Sequence, residues 1–374
     1  MKLFSIILIA AFLILFHLKP LKVDGKISPQ TSRINNSENI ILKATQHGVK
    51  ADTTNHEMNR FTYTEYKMGT YFKIILYASD ENMANLAAKE AYEKMDELNL
   101  IFSDYVEESE INNLSLSSGK NEFISTSKPL YEVISKSLLI SKVSNGAFDI
   151  TVGPYVKLWR RAIRQQKLPS LEAIGRAKAA VGFDKINLSK NSGDIKLLVP
   201  GMQLDVGGIA KGYILNEAMK VLKLSGINSA LLDGGGDILV SNAPPDKEGW
   251  IMELNTGYGQ QQNIIKLHNA SVATSGDNYR FVEFEGKRYS HIIDPHTGFG
   301  LVDQYTVSVI AKDGATADAL ASAISVLGPE KGIKMIDNFR GAATFIFSDE
   351  RNENKTWQSG NFQKFLLTES AFIE

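Results

Sequence analysis

The chain has 374 residues, of which 43% are hydrophobic, so it is long enough to fold around a large buried core. Its 41 basic and 42 acidic side chains give a formal net charge of -1, which excludes a protein that binds nucleic acid through a strongly basic surface. Cysteine is absent, so disulfides, thiolate metal sites, a cysteine nucleophile and a lipidated N-terminal cysteine are excluded as well. Any charged ligand must be met by a local site.

The N-terminus carries a pattern typical of export. A charged start, Met1-Lys2, precedes an apolar run, which predicts a signal peptide or an N-terminal membrane anchor over residues 1–20. The run is short for a full span, which needs roughly 20 apolar residues, and no small-residue cleavage site follows it, so cleavage is left open. Residues 21–57 are polar without a sustained apolar period, which predicts a disordered linker. The folded domain is expected over residues 58–370.

The first half of the folded domain predicts strands, helices and one hairpin. Strands are expected over residues 61–66 and 71–77, with Gly69 between them as a bulge or as a close approach of another group. The elements that follow are a helix over 80–100, a loop with aromatic anchors over 102–114, helices over 127–143 and 169–181, and a hairpin over 186–200. Asp149, placed at an expected strand start, is a turn or capping residue on general grounds.

The second half predicts short strands and two late helices. The strands are expected within 230–240, over 250–254 and 264–267, in a hairpin that turns at Glu285-Gly286, and over 305–311 and 342–348. The helices are expected over 314–327 and 332–336. Three consecutive glycines, Gly234 to Gly236, imply a sharp turn or a close approach to the backbone. Irregular alternation of helices with hairpins predicts a mixed α/β, or α+β, fold.

A glycine pair, Gly207-Gly208, lies between an expected strand end and an expected helix start. Asp205 is predicted to end a short strand, and a helix is predicted from Ile209 to about Lys223. Backbone N–H groups at such a turn suit a phosphate group, while tight packing of the helix on the strand is an equally open alternative. The spacing matches neither the GxGxxG pattern nor the P-loop pattern.

The helix predicted over 314–327 carries a second polar feature. Asp318 and Ser322 are four residues apart and therefore share one face, with the Ala321 carbonyl close by. A carboxylate, a hydroxyl and a carbonyl are hard oxygen ligands, which suit Mg²⁺ rather than zinc. The alternative is that Asp318 is an ordinary polar residue near the start of a helix.

Eight motifs, in order along the chain, resemble the ApbE family of FAD:protein FMN transferases. They are MGT at 68–70, the SEI loop, GAFDITVGP, LDVGGIAKGY, LLDGGGDILV, ATSGDNYR, YSHIIDPHTG and GATADALASAISVLG. The resemblance implies a Mg²⁺-dependent enzyme that cleaves FAD, attaches FMN through a phosphoester to a Thr or Ser of an acceptor protein, and releases AMP. Two alternatives are an FAD pyrophosphatase that yields FMN and AMP, and a flavin-binding protein without turnover.

The resemblance also implies a set of site residues. The positions that correspond to FAD contacts are Met68, Tyr105, Ala147, Phe148, Asp149, Asp205, Lys211 and Ile292, with Ile293 as the alternative to Ile292. The positions that correspond to metal ligands are the side chains of Asp318 and Ser322 and the carbonyl groups of Gly208 and Ala321. Ser322 stands where the family has a threonine, and it keeps the hydroxyl.

The catalytic base is expected at His291, in the SHIIDP motif, rather than at His296 in the turn that follows. An unperturbed histidine pKa near 6.5 suits removal of a proton from an attacking hydroxyl. The alternative is a structural histidine that bonds to a nearby carboxylate such as Asp294.

The partners and compartment follow from the same resemblance. Besides FAD, the expected partners are acceptor flavoprotein subunits of membrane-bound redox or ion-pumping complexes. Many family members are lipoproteins, and this chain departs from them because it has no cysteine. The protein is therefore expected to be exported, either to the periplasm or to the outer face of the inner membrane with the N-terminal segment as its anchor.

Overall fold

The computed structural model describes residues 58–189, 192–254, 263–276, 281–284, 286–303, 305–350 and 353–367. They belong to one compact unit, Asn55–Glu374. The predicted export segment over 1–20 and the predicted linker over 21–57 lie outside the described residues. Among the helices in the described ranges, none combines the length and the apolar character that a membrane crossing requires.

The strands form one large sheet and smaller two- and three-stranded sheets within these ranges. In chain order they are β1 Asn59–Lys67, β2 Thr70–Ala78, β3 Ile124–Ser125, β4 Ile186–Leu188, β5 Asp194–Leu197, β6 Ala230–Gly234, β7 Ile238–Val240, β8 Trp250–Leu254, β9 Asn263–Leu267, β10 Ala270–Ser275, β11 Phe281–Phe284, β12 Lys287–Ser290, β13 Tyr305–Ala311, β14 Ala343–Glu350 and β15 Glu353–Gln358.

The helices alternate irregularly with these strands. In chain order they are α1 Glu81–Phe102, α2 Glu110–Leu116, α3 Lys128–Val143, α4 Gly153–Gln165, α5 Leu171–Lys178, α6 Ala210–Leu224, α7 Gly314–Leu327 and α8 Pro329–Ile336, with short 3-10 turns at Ile150–Val152, Phe183–Lys185 and Phe362–Lys364. The predicted mixed α/β class is confirmed.

The large sheet has eight strands in the order β1-β2-β6-β7-β10-β13-β14-β15, and every neighbouring pair is antiparallel. Because side chains alternate between the two faces of a strand, the two faces join different cores. Ile74 of β2 is fully buried in the core shared with α1, α6 and α7, whereas Ile75 packs against the core built on β8 and β9. The sheet thus carries α6 and α7 on one face, and these two helices hold Lys211, Asp318, Ala321 and Ser322 of the candidate site.

Four sequence expectations are wrong in detail. The first concerns Gly69, which is neither a bulge nor a close contact. Met68 and Gly69, with φ of 51° and 78°, form a two-residue turn that joins β1 to β2, and nothing lies within 4 Å of a Cβ at Gly69. Turns with positive φ at both central residues suit the twist of a hairpin, and a methionine there is strained.

The other three concern segments with weak local patterns. Helix α2 occupies the predicted loop because Ser109 caps it and Ile111 and Leu114 are buried. Residues 202–206 form no strand, since the Leu204 amide donates to Ser115 Oγ and the Asp205 amide donates to the Ile150 carbonyl. In addition, Asp149 precedes a 3-10 turn and α4 instead of a strand. Beyond these four, β15 occupies a polar C-terminal stretch for which the sequence predicted no element.

Candidate active site

Two glycines bring helices α6 and α7 into direct contact. A Cβ at Gly212 would lie 2.1 Å from the Gly314 carbonyl oxygen, and a Cβ at Gly314 would lie 2.5 Å from the Gly212 carbonyl oxygen. Only glycine allows two backbones to approach this closely. The contact lets the Gly212 amide donate to Asp318 Oδ2 at 3.2 Å, so a residue predicted to bind metal is positioned from the opposite helix.

Asp318 lies in a cluster of buried charges. Asp318 is 6% exposed, and Asp237 is 2% exposed. The pKa of Asp318 is raised to about 7, chiefly by burial and then by the nearby carboxylate of Asp237, while the Lys211 ammonium and the Gly212 amide act in the opposite direction. Lys211 forms an ion pair with Asp237. A carboxylate whose pKa is strongly shifted by burial and by a specific charged neighbour is typical of a functional site.

Ser322 and Gly208 meet beside this cluster. A Cβ at Gly208 would lie 2.8 Å from Ser322 Oγ and 3.3 Å from the Phe148 ring, so the turn before α6 leaves a cradle that any larger residue would fill. The Ala321 carbonyl, on α7, accepts a hydrogen bond from Ser325 Oγ at 2.9 Å. The oxygen atoms of Asp318, Ser322 and this turn fit a hard cation such as Mg²⁺.

The described residues contain no cluster of three or more His, Cys, Asp or Glu side chains that could hold a metal by themselves. This agrees with the way in which Mg²⁺ is usually bound, through one or two carboxylates, with water and substrate phosphates as the remaining ligands. The donor set around Asp318 therefore fits Mg²⁺ in the presence of a phosphate-bearing substrate and does not fit a closed zinc site.

Asp237 was not singled out as a site residue by the sequence, although it ends the glycine run. The run folds into a turn in which Asp233 Oδ1 accepts from the amides of Gly235 at 3.0 Å and Gly236 at 3.1 Å. Gly235 has a φ of +75°, and a Cβ there would lie 2.5 Å from Thr70 Oγ1. Both the sharp turn and the close approach that the sequence predicted are thus present, and they connect the MGT motif to Asp237.

The GAFD motif is buried, and its Asp149 side chain is held by hydrogen bonds from Thr151 and Phe183. Ala147, Phe148 and Asp149 are 3%, 6% and 7% exposed. Asp149 Oδ1 accepts from the Thr151 amide and hydroxyl at 2.8 and 2.7 Å, and Oδ2 accepts from the Phe183 amide at 2.9 Å. Burial raises the pKa of Asp149, and these donors partly oppose the effect. The capping role expected for Asp149 is confirmed, while its contact with FAD stays a prediction.

The Gly207-Gly208 turn does not offer all its amides to a phosphate. The Gly207 amide donates to Asp205 Oδ1 at 2.8 Å, and the Ile209 amide donates to the Val206 carbonyl at 3.0 Å. The expectation of outward-facing donors is therefore wrong for these two amides, because the local turn uses them. Burial raises the pKa of Asp205, and the Asp104 carboxylate adds to the rise.

An arginine that the sequence left unnoticed lies beside Asp205. The Arg160 guanidinium carbon is 4.2 Å from the centroid of the Tyr105 ring, and its Nη1 is 2.7 Å from Asp104 Oδ2. Its Nη2 is 4.0 Å from Asp205 Oδ2. Tyr105 itself is 80% exposed. Two predicted FAD contacts, Tyr105 and Asp205, are therefore linked by one side chain of α4.

The SHIIDPHTG motif follows β12. His291 is exposed and Ile292 is half-buried, with the Ile292 amide donating to Ser290 Oγ at 3.1 Å. Asp294 accepts from the His296 amide at 2.9 Å and from Thr297 Oγ1 at 3.0 Å, so it shapes the turn. Of the preceding ATSGDNYR motif, residues 277–280 lie outside the described ranges.

A continuous path of contacts runs through the motifs. A Cβ at Gly146, the first residue of the GAFD segment, would lie 3.2 Å from His296 Cε1. From there the path continues through Phe148, Gly208 and Ser322 to the cluster described above, and through the glycine run to Thr70. The structure therefore brings together segments that are far apart in the chain, around buried carboxylates and one lysine. A cluster of buried charges with a strongly shifted carboxylate pKa is typical of the functional site of an enzyme.

Comparison with known proteins gives the family. The model described as "ApbE family" matches residues 68–347. A protein of Treponema pallidum (strain Nichols) is 30% identical over 313 residues, which are 79% of this chain and 86% of that protein. One of Escherichia coli (strain K12) is 27% identical, over 81% of this chain and 88% of its own. Both are named "FAD:protein FMN transferase".

Solved structures agree with this result. The apo form of the Pseudomonas stutzeri flavinyl transferase ApbE has a TM-score of 0.73 at 27% identity, over 82% of this chain and 96% of that one. The ApbE protein of Thermotoga maritima has a TM-score of 0.74 at 27% identity, over 83% of this chain and 100% of that one. The chain belongs to the ApbE family, and the predicted resemblance is confirmed.

Proposed function

We propose that the chain is a Mg²⁺-dependent FAD:protein FMN transferase. An oxygen of an acceptor Thr or Ser forms a bond to the phosphorus on the FMN side of the FAD pyrophosphate. The bond from that phosphorus to the bridging oxygen breaks, and AMP leaves with that oxygen. Family membership and the names of the relatives support the flavin transferase activity. The single observation that carries the metal-dependent part is the buried Asp318 carboxylate, one helical turn before Ser322, whose hydroxyl lies beside Gly208.

Magnesium would be held by Asp318 and Ser322, with the carbonyl groups of Gly208 and Ala321 as the further predicted ligands. When bound, it would neutralise charge on the pyrophosphate. Lys211 provides a fixed positive charge at the same place, because its ion pair with the buried Asp237 holds the ammonium beside Asp318. Phosphoryl transfer depends mainly on positioning and on neutralised charge, and both follow from this arrangement.

His291 is the proposed base that accepts the proton of the acceptor hydroxyl. Its exposure suits this role, because the hydroxyl belongs to a second protein and must reach the base from solvent. General-base assistance typically contributes roughly 10²- to 10⁴-fold to a rate. The proton can then pass from the imidazole to water, which returns His291 to its neutral form.

The function is tested by incubating the purified chain with FAD, MgCl₂ and an acceptor domain. Flavin fluorescence that stays on the acceptor band after denaturing electrophoresis, together with one AMP for each labelled acceptor, is the expected result. An acceptor whose target Thr is replaced by Val and the variant Asp318→Asn are the matched controls. Free FMN and AMP without labelling would identify a pyrophosphatase, and intact FAD would leave only a flavin-binding protein.

The location and the acceptor complete the proposal. Export through residues 1–20 places the enzyme in the periplasm or at the outer face of the inner membrane, next to flavoprotein subunits of membrane-bound redox or ion-pumping complexes. Cell fractionation tests the location. Recovery of the full chain in the cytosolic fraction would contradict it, and flavin labelling of membrane subunits that disappears on deletion of this gene would support the acceptor class.

A further inference from the structure

One arginine connects three segments of the candidate site. Arg160 pairs with Asp104 at 2.7 Å, lies over the Tyr105 ring at 4.2 Å, and approaches Asp205 to 4.0 Å. Its side chain is 29% exposed, and those of Asp104 and Asp205 are 22% and 19% exposed. The guanidinium is therefore shared among a ring and two carboxylates at a partly desolvated position, where such interactions are stronger than at the open surface.

Arg160 is held in place by the helix that carries it. Its neighbour Trp159 is 5% exposed and donates from Nε1 to the Gly298 carbonyl at 2.9 Å, which fixes α4 against the SHIIDPHTG segment. At the N-terminus of the same helix, a Cβ at Gly153 would lie 2.5 Å from the Gln203 carbonyl, so α4 also touches the segment that leads into Asp205. The backbone of α4, from which the Arg160 side chain extends, is therefore fixed by contacts near both Trp159 and Gly153.

Tyr105, unlike Trp159, is mostly exposed to solvent. It lies in the loop between α1 and α2, and its side chain is 80% exposed although one face of its ring is covered by the guanidinium. An exposed tyrosine in a loop would ordinarily sample several rotamers, which costs binding energy whenever a ligand must order it. Stacking on Arg160 keeps one face inward and leaves the other face open to solvent.

We propose that Arg160 is a positioning residue for FAD: it pre-orients the Tyr105 ring as a platform for a planar ring of the dinucleotide. The inference rests on the proposed function, because it takes FAD as the ligand. The ring that stacks is either adenine or isoalloxazine, which share a flat π-face. Arg160 acts through Tyr105 and needs no contact of its own with FAD.

The Tyr105 ring and the Arg160 guanidinium are in contact, so their effects on FAD binding should be coupled. A double-mutant cycle measures this coupling. The variants are Arg160→Ala, Tyr105→Ala and the double replacement, and the readout is the dissociation constant of FAD from fluorescence quenching without turnover. A further variant, Arg160→Lys, keeps the charge but loses the planar stack. Arg161→Ala is the matched control, since Arg161 is the next residue of α4 and its Nε donates to Gln165 Oε1 at 3.3 Å.

Arg160→Ala is expected to weaken FAD binding by about 5- to 10-fold when Tyr105 is present, and by less than about 2-fold when Tyr105 is replaced, as a stacked cation and ring imply. Arg160→Lys is expected to recover only part of the loss, and Arg161→Ala to bind as the parent does. Parallel titrations with ADP and with FMN identify the stacked ring. Arg160→Ala should weaken binding only of the ligand that carries the ring stacked on Tyr105.

Equal losses in both backgrounds would overturn the inference, since Arg160 would then act independently of Tyr105. A thermal melt of each variant guards against misfolding, and Arg160→Lys keeps the test valid if Arg160→Ala does not fold. An unsubstituted protein that binds no FAD would defeat the proposed function itself. FAD binding without coupling would defeat the role of Arg160 alone.

Discussion

Replacing Asp318 by Asn is expected to stabilise the metal-free protein while it abolishes flavin transfer. The parent carboxylate is 6% exposed and lies near the buried Asp237, so the folded protein favours its protonated form. An Asn side chain has nearly the same shape, carries no charge, and can still accept the amide of Gly212 through its oxygen. The variant therefore removes a buried charge without opening a cavity.

The magnitude follows from the pKa of Asp318, which is about 7 in the folded protein against an ordinary value of 3.8. At about 1.4 kcal/mol for each pH unit, ionisation of this group costs the folded state at most about 4 kcal/mol at alkaline pH. A group whose pKa is raised on folding contributes stability below its unfolded pKa, and this contribution is lost as the pH rises through the folded value. The cost is thus roughly 3 kcal/mol smaller at pH 5 than at pH 8.5.

The assay is urea unfolding of the parent and of Asp318→Asn in EDTA at pH 5 and at pH 8.5. Titrations of other groups cancel in the difference between the two proteins. The variant should gain stability relative to the parent as the pH rises, and excess Mg²⁺ should then stabilise the parent alone, because only the parent binds it. A difference that does not change with pH, or a variant that is less stable at both values, would refute the reasoning.

Three further outcomes are expected. His291→Ala should lower flavin transfer by roughly 10²- to 10⁴-fold with unchanged FAD affinity, and full activity would remove the proposed base. Gly212→Ala should destabilise the fold by several kcal/mol in urea, since its Cβ would lie 2.1 Å from the Gly314 carbonyl, whereas Gly175→Ala, with nothing within 4 Å, should stabilise it by about 0.5–1 kcal/mol. Tyr155→Phe should leave the melting temperature equal or higher, because the buried Tyr155 hydroxyl has no hydrogen-bond partner in the described part of the chain; a clear fall would show that the hydroxyl is satisfied.

Much of the fold could be predicted because its patterns are local. The helix over 314–327 has the bounds that its apolar period and its capping residue Asp313 indicate, and the strand over 305–311 is found as expected. The segment over 202–206 was misjudged because its amides bond to Ser115 and to Ile150, and no local pattern reports such partners. Helix α2 was missed because its seven residues, Glu110–Leu116, are too few for a clear period.

Like the fold, the candidate site has a part that local spacing in the sequence predicts and a part that depends on distant segments. The spacing of Asp318 and Ser322 follows from 3.6 residues per helical turn, so the sequence alone puts both on one face of α7. Their neighbours come from elsewhere: Gly208 and Lys211 from the start of α6, and Asp237 from the turn after β6. Arg160 likewise gave no signal in the sequence, because its partners Asp104, Tyr105 and Asp205 lie more than 40 residues away along the chain.

The sequence by itself determined the family and the order of the motifs, since these depend on residue identity and short-range spacing. Only the tertiary structure decided that Asp318 is buried beside Asp237 and Lys211. The physical reason is that burial and charge pairing arise between distant segments. Here the Gly212 amide reaches Asp318 because Gly212 and Gly314 lack side chains and let α6 and α7 approach closely.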